Sequence, residues 1–291
     1  MDYILSLTTT AIQLIKMKIS VILAIYNEDQ YLQKCLTSLN KQRGVTFEII
    51  IVDDGSYKKV DLNTYKIQNT KYKIQLHRID HSSPAIARNL GVEKSKGDIV
   101  VFVDGDMEFE PDFLQKLTDP IVKGETKGTF STEEFVANWD NLWARCWNNE
   151  NGLATKRRIK KSINMVRDFR AILKSEFTRV KGFDNTGYTD TWTLGKKLGY
   201  WPTPTNAKYY HYNPASRNEV FMQALWIGAR QRKWGLIGSV IAGIRATIVF
   251  SLPLAIFKAI RYKQPHMIKF KLIYDLGILG GVMNRIVNKS N

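Results

Sequence analysis

Two carboxylates separated by one glycine, Asp104-Gly105-Asp106, follow a run of five apolar residues, Ile99 to Val103. Hard divalent cations such as Mg²⁺ take oxygen ligands, commonly one or two carboxylates plus the phosphates of a substrate. Gly105 lets the backbone turn tightly enough for both acids to face one ion. Standing alone, such a triplet is more simply a solvated acidic turn. Three further polar groups alter that balance: Asn27-Glu28, Asp53-Asp54 and Arg88-Asn89. Each by itself reads as a cap or a turn. Together they supply carboxylates for a metal and a ribose, and an arginine able to pair with a diphosphate.

The elements that carry these groups follow from the pattern around them. Ile99 to Val103 reads as a strand buried on both faces. Lys18 to Ala24 and Phe47 to Val52 read as two more buried strands, and Tyr72 to Arg78 as another. Tyr26-Asn27-Glu28 opens a helix with Tyr31, Leu32, Cys35, Leu36 and Leu39 at helical spacing. Ser83 is placed to cap a second helix, with Pro84 at its first position and Arg88-Asn89 one turn inside. Strands alternating with helices through short connections predict an α/β fold with a Rossmann-like parallel sheet. Parallel strands put their carboxyl ends on one edge, where open α/β sheets bind ligands, so the four polar groups should converge. No G-x-G-x-x-G follows the first strand and no G-x-x-x-x-G-K-[ST] occurs, which argues against a dinucleotide dehydrogenase and a P-loop NTPase.

Charge and hydropathy separate the last third of the chain from the rest. The net charge is +16, and from Lys208 to Asn291 there are 13 Lys/Arg against two acids, Glu219 and Asp275. The longest apolar runs lie in the same region, and basic residues interleaved with apolar ones point to an anionic membrane surface and not to nucleic acid. Gly235 to Phe257 is long enough to span a bilayer but is interrupted by Arg245 and Pro253; Leu272 to Val287 is short and broken by Gly277, Gly280 and Gly281. A transmembrane hairpin would export the connecting loop Lys258 to Lys271, whose five basic residues oppose that orientation. The expectation is therefore helices lying in the interface on the cytoplasmic side, with a re-entrant segment as the second choice. Two cysteines, Cys35 and Cys146, make neither a disulfide framework nor a zinc site and suit a reducing compartment. Residues 1–16 lack the features of a secretory signal and read as an N-terminal extension. Trp139, Trp143 and Trp147 recur every four residues and predict one helical face, more simply core than a sugar platform. The basic run Lys156 to Lys161 reads as solvated surface, or as a contact for the phosphate of a lipid-linked acceptor.

The segments SVILAIYNE, IVDDGS, ARNLGV and FVDGD, in this order, resemble the family 2 glycosyltransferases, and the resemblance covers about Lys18 to Trp234. It implies a GT-A fold and inverting transfer from a nucleotide-diphosphate sugar, a UDP-sugar favoured, with a divalent metal, Mn²⁺ or Mg²⁺. It implies that Tyr26, Glu28, Asp53 and Asp54 contact the base and ribose, that Arg88 lies near the nucleotide, and that Asp104 and Asp106 hold sugar, ribose and metal. Phe169 to Asp184 looks like the family's segment ending in a Gly-Phe-Asp turn. A Glu-Asp pair follows in the family and carries the catalytic base; here it reads Thr189-Asp190, which makes Asp190 the expected base and Asp184 the second choice. By order, His211 would complete the metal site or touch the diphosphate. Gln223, Trp226 and Arg230 resemble the segment that closes over diphosphate and acceptor. Ala24 stands where the family usually has proline.

These readings divide the chain into the extension 1–16, a glycosyltransferase domain 17–234 and a membrane-associating helical tail 235–291. Within the domain, 17–110 reads the nucleotide sugar and 111–234 the acceptor. The expected activity is transfer to a hydroxyl of a glycan or lipid-linked acceptor at the cytoplasmic membrane face, in polysaccharide or glycolipid synthesis. The alternatives are a polyprenyl-phosphate sugar synthase, whose acceptor needs no base, and a catalytically degenerate membrane scaffold.

Overall fold

The computed structural model describes residues 17–65, 72–159, 168–185, 190–230, 232 and 234–288; for 190–192 and 288 it describes the backbone only. The extension 1–16 and Lys160-Lys161 of the basic run lie outside the described residues. The chain forms two compact units, one of residues 1–134 with 161–210 and the other of 135–160 with 211–291. The second unit thus joins a short stretch from mid-chain to the C-terminal third.

In the first unit the apolar runs form strands β1 (Ile19–Ile25), β2 (Phe47–Asp53), β3 (Ile74–Arg78) and β4 (Ile99–Asp104), all parallel. β1 and β4 are buried almost throughout, because α-helices cover both faces of a parallel sheet. Helix α1 (Asp29–Asn40) lays Leu32, Cys35, Leu36 and Leu39 on one face, and α2 (Pro84–Lys94) crosses the other. Ser83 caps α2 through the Ile86 N–H at 3.3 Å, with Pro84 at the first helical position as the sequence predicts.

The sheet continues through β5 (Met107–Phe109), β6 (Gly128–Val136), β7 (Ala171–Leu173) and β8 (Thr203–His211), in the order β3-β2-β1-β4-β7-β6-β8-β5. β7 is antiparallel to both β4 and β6. Only Gly105 and Asp106 separate β4 from β5, yet three strands lie between them in the sheet. Four inter-strand steps in a flat sheet would span about 19 Å, and three residues reach at most about 11 Å. The far edge of the sheet must therefore curl back to the Asp104-Asp106 turn. Helix α3 (Phe113–Val122) seals this side, with the Phe113 ring tilted against Phe109 and edge-on to Tyr209. Short helices α5 (Lys174–Arg179) and α6 (Asp190–Leu198) follow β7.

The second unit is helical. α4 (Leu142–Glu150) carries Trp143 and Trp147, which pack on Phe270 as core residues; Trp139 precedes the helix, so the three do not share one helical face. α7 (Arg217–Ala229) is capped by Ser216 and packs against α10 (His266–Asn288). The glycines expected to break this apolar stretch do not break it. They are where the two helices approach: a Cβ on Gly277 would stand 2.6 Å from the Phe221 carbonyl, and one on Gly281 would collide with the backbone of Leu225. Gly281→Val is accordingly expected to cost about 1–3 kcal/mol or more through overpacking, read as a drop in the urea midpoint with the m-value unchanged.

Residues 258–271, the connecting loop in the disfavoured transmembrane hairpin, are mostly helix. α9 (Ile248–Arg261) runs into this stretch and α10 begins at His266. Two of its lysines are ion-paired: Lys271 lies 2.5 Å from both carboxylate oxygens of Asp275, and Lys258 lies 2.8 Å from Glu150. Among the described residues no single helix is long and apolar enough to cross a membrane. α8 (Gly235–Arg245) and α9 reach that apolarity only together, and they are bent by 64° at their junction.

Candidate active site

The loop after β1 and the loop after β2 are tied into one ledge. Asn27 adopts a left-handed φ of 56°, which Asn tolerates better than most residues. In that conformation its N–H donates to Ser56 Oγ at 2.9 Å and its side-chain oxygen accepts the Tyr57 N–H at 2.9 Å. Both members of the Asp53-Asp54 pair are buried. Asp53 accepts the Ser56 N–H at 2.9 Å and pairs with Arg78 at 2.5 Å, while Asp54 accepts both the N–H and the hydroxyl of Ser82. The Asp54 carboxylate also meets His81 Nδ1 at 3.2 Å. Tyr26 stacks on that imidazole, ring centroids 4.0 Å apart, and leaves Tyr57 exposed at the rim. This ledge presents flat rings and carboxylates with fixed geometry, the features a nucleoside requires.

Glu28 reaches the neighbouring strand end. Its carboxylate accepts the Gly105 N–H at 2.9 Å and so braces the turn between Asp104 and Asp106. Burial, then the charges of Asp106 and Asp104, push the Glu28 carboxyl well above its usual range. Three carboxyl groups held this closely favour an added positive charge. Two carboxylates on a tight turn fit a hard divalent cation, with Asp104 and Asp106 the residues of this turn able to hold it. Arg88 donates to Asp104 at 2.8 Å from one turn inside α2.

Arg170 was not singled out by its sequence context, since it sits alone in an apolar segment before β7. Its guanidinium donates to the Phe102 carbonyl at 3.2 Å, lies 3.3 Å from Asp168 and from the Tyr209 hydroxyl, and approaches Asp104 at 3.8 Å. Two arginines thus flank one carboxylate of the turn. Guanidinium groups in this position can meet a diphosphate as its charge develops.

The Gly182-Phe183-Asp184 turn is held on α2 by a two-way clasp. Asn89 donates to the Phe183 carbonyl and accepts its N–H, each at 2.9 Å. Gly182 has φ 66°, and a Cβ there would press on the Asn89 oxygen at 2.5 Å. Asp184 pairs with Lys197 of α6 at 2.7 Å, and that hydrogen bond lowers its pKa. Asp184 is thereby committed to joining turn and helix. Asn89→Ala strands two backbone groups of a buried phenylalanine and is expected to cost about 1–3 kcal/mol, seen as faster amide exchange at Phe183 before any global unfolding.

Asp190 is the first residue of α6, and its side chain lies outside the described residues, as does Thr189. His211, the last residue of β8, and Arg230, which follows α7, belong to the second unit. The Arg230 guanidinium stacks on Trp226 at 3.6 Å, with Trp226 on α7 and Arg230 just beyond its end.

Residues 20–179 match the glycosyl transferase family 2 pattern. Over 106 residues the chain is 33% identical to glycosyltransferase GlyA of Streptococcus pneumoniae serotype 4, covering 36% of this chain and 15% of that one. Over 112 residues it is 30% identical to the dolichol-phosphate mannosyltransferase of Pyrococcus furiosus, covering 37% and 31%. The matched stretches span 40% or less of the curated relatives' lengths. Among solved structures, S. aureus TarS 1–349 in complex with UDP-GlcNAc shares the fold with a TM-score of 0.55 and 16% identity, over 92% of each chain. More than half of the chain lies within the family pattern, from β1 to the end of α5, and on that ground the protein belongs to glycosyl transferase family 2.

Proposed function

We propose that this protein is an inverting, metal-dependent glycosyltransferase that moves a sugar from a nucleotide-diphosphate donor to a hydroxyl of a glycan or lipid-linked acceptor. The observation that carries the reading is the Asp104-Gly105-Asp106 turn, braced by Glu28 and flanked by Arg88 and Arg170, in a chain of this family. A UDP-sugar is the favoured donor, supported by the UDP and UDP-GlcNAc complexes of TarS. Tyr26, Asp53 and Asp54 fix the nucleoside ledge. Arg88 and Arg170 orient the Asp104 carboxylate and meet the diphosphate. Asp104 and Asp106, with His211 as a third ligand by analogy, would hold Mn²⁺ or Mg²⁺. Bound there, the cation would neutralise charge on the departing nucleoside diphosphate.

Asp190, at the start of α6, takes the proton from the acceptor hydroxyl as that oxygen attacks the anomeric carbon opposite the leaving group. The new glycosidic bond forms as the bond to the diphosphate breaks, which inverts the anomeric centre. Arg230 closes over the diphosphate. We further propose attachment to the cytoplasmic face of the cell membrane through the second unit. A polyprenyl-phosphate acceptor is the second reading, favoured by the identity to the P. furiosus dolichol-phosphate mannosyltransferase. The deciding experiment offers a panel of nucleotide sugars with Mg²⁺ or Mn²⁺, with and without membrane lipid extract. Metal-dependent release of nucleoside diphosphate is expected for one donor, and no turnover with any donor overturns the proposal.

A further inference from the structure

α8 and α9 are built the opposite way round from helices on the surface of a water-soluble domain. Such a helix puts its large apolar residues inward and polar ones outward. α9 buries Ser251, Ala255 and Ala259, a seam of small residues, and exposes Val249, Phe250, Phe257 and Ile260. α8 likewise buries Ser239 and Gly243 while Ile237 and Ile244 face outward. Ile260 is 73% exposed, one residue before a cationic turn. So many large apolar side chains exposed along two consecutive helices mark an interaction site.

At the foot of α9 lies a hollow of about 710 Å³ within the second unit. Its charged lining is cationic, Arg145, Arg261 and Lys263, beside the rings of Trp139 and Tyr262 and the His266 imidazole, whose pKa burial lowers; among the described residues no acid lines it. Among the described residues neither Arg261 nor Lys263 has an ion-pair partner, and His266 Nε2 is buried without a hydrogen bond. Nearby acids of the unit are engaged elsewhere: Glu150 with Lys258 and Lys271, Glu219 with Ser216 at the start of α7, Asp275 with Lys271. Arg261 and Lys263 thus carry positive charge with no ion-pair partner among the described residues where the exposed apolar side chains of α9 end.

We propose that this hollow seats the phosphate of an anionic phospholipid while α8 and α9 lie in the same leaflet. The assignment rests on the membrane attachment proposed above and adds a specific headgroup site to it. Charge complementarity selects the partner, since a polybasic hollow next to an apolar helix matches the phosphate plane and the acyl region of one leaflet. The exposed Arg245 at the bend selects the in-plane pose over a deep loop, because a deep loop would carry that charge into hydrocarbon.

The test is vesicle co-flotation of the full chain, with neutral phosphatidylcholine against phosphatidylcholine containing about one-third phosphatidylglycerol. The protein is expected to bind both and to prefer the anionic vesicles. In the double variant Arg261→Gln/Lys263→Gln, the anionic preference is expected to fall about 30-fold, with neutral binding unchanged. Phe257→Ser/Ile260→Ser, at exposed positions that spare the core, is expected to weaken binding to both. Undiminished anionic preference in the charge variant, or equal wild-type binding to both vesicles, overturns the headgroup site and leaves membrane attachment standing. Absence of wild-type binding to either vesicle overturns both.

Discussion

Asp106→Ala is expected to reduce sugar transfer by about 10³-fold while leaving the melting temperature near that of the wild type. Charge stabilisation of a leaving diphosphate is worth several kcal/mol, and each 1.36 kcal/mol is about tenfold in rate. The turn itself should survive, since Glu28 braces its backbone through the Gly105 N–H. The deficit should appear with saturating donor, in kcat, and added Mn²⁺ should not restore it. A chelator acting on the wild-type enzyme should reproduce the loss, with recovery on adding metal back. An Asp106→Ala enzyme that turns over normally removes the carboxylate turn from the chemistry and with it the metal proposal.

Asp190→Asn is expected to lower kcat about 10²–10⁴-fold, the usual contribution of a positioned general base. Donor binding should be unchanged, because the nucleoside ledge of Tyr26, Asp53 and Asp54 lies on other elements. The same variant separates the two acceptor classes. A sugar hydroxyl must lose its proton during attack, whereas a phosphate is already ionised at neutral pH. Full activity in Asp190→Asn with a polyprenyl phosphate would therefore select the phosphate reading, and full activity with a hydroxyl acceptor would remove Asp190 from its role. Binding of UDP measured in parallel guards against a folding defect.

The half of the sheet that rests on contiguous apolar runs was legible from the chain. FEIIIV and IVVFV have no other economical reading, and the cap Ser83-Pro84 fixed where α2 begins. The other half depends on pairings between distant residues. β7 is three residues long and has no local signature, yet it sits beside β4 in the centre of the sheet. β8 contains Pro204, which argues against a strand locally, and alternates only weakly before Ala207 and Tyr209. At the site, acids at the ends of buried strands were visible by motif. The partners that occupy them were not: Arg78, His81 and Ser82 on Asp53 and Asp54, and Arg170 beside Asp104. Glu28 was expected at the base and ribose, and the motif did not show that its carboxylate also accepts the Gly105 N–H. The glycines of α10 misled for a physical reason. Glycine lowers helix propensity, but it also lets two helix backbones approach closely, and only the partner helix reveals which effect governs.

The curl that returns β5 to the turn after β4 also sets an order of assembly as the chain leaves the ribosome. Once β4 has emerged, β1 to β4 have their parallel neighbours. β5 follows two residues later with no strand to pair with, because β8 is made far along the chain and β7 and β6 must first bridge the gap. Pairings of such sequence separation close slowly. Asp106 therefore gains its second flank only after β8 is synthesised, and a nascent chain carries the nucleoside ledge well before the finished turn. Pulse-labelled chains stalled just before Thr203 should retain UDP without acquiring metal dependence.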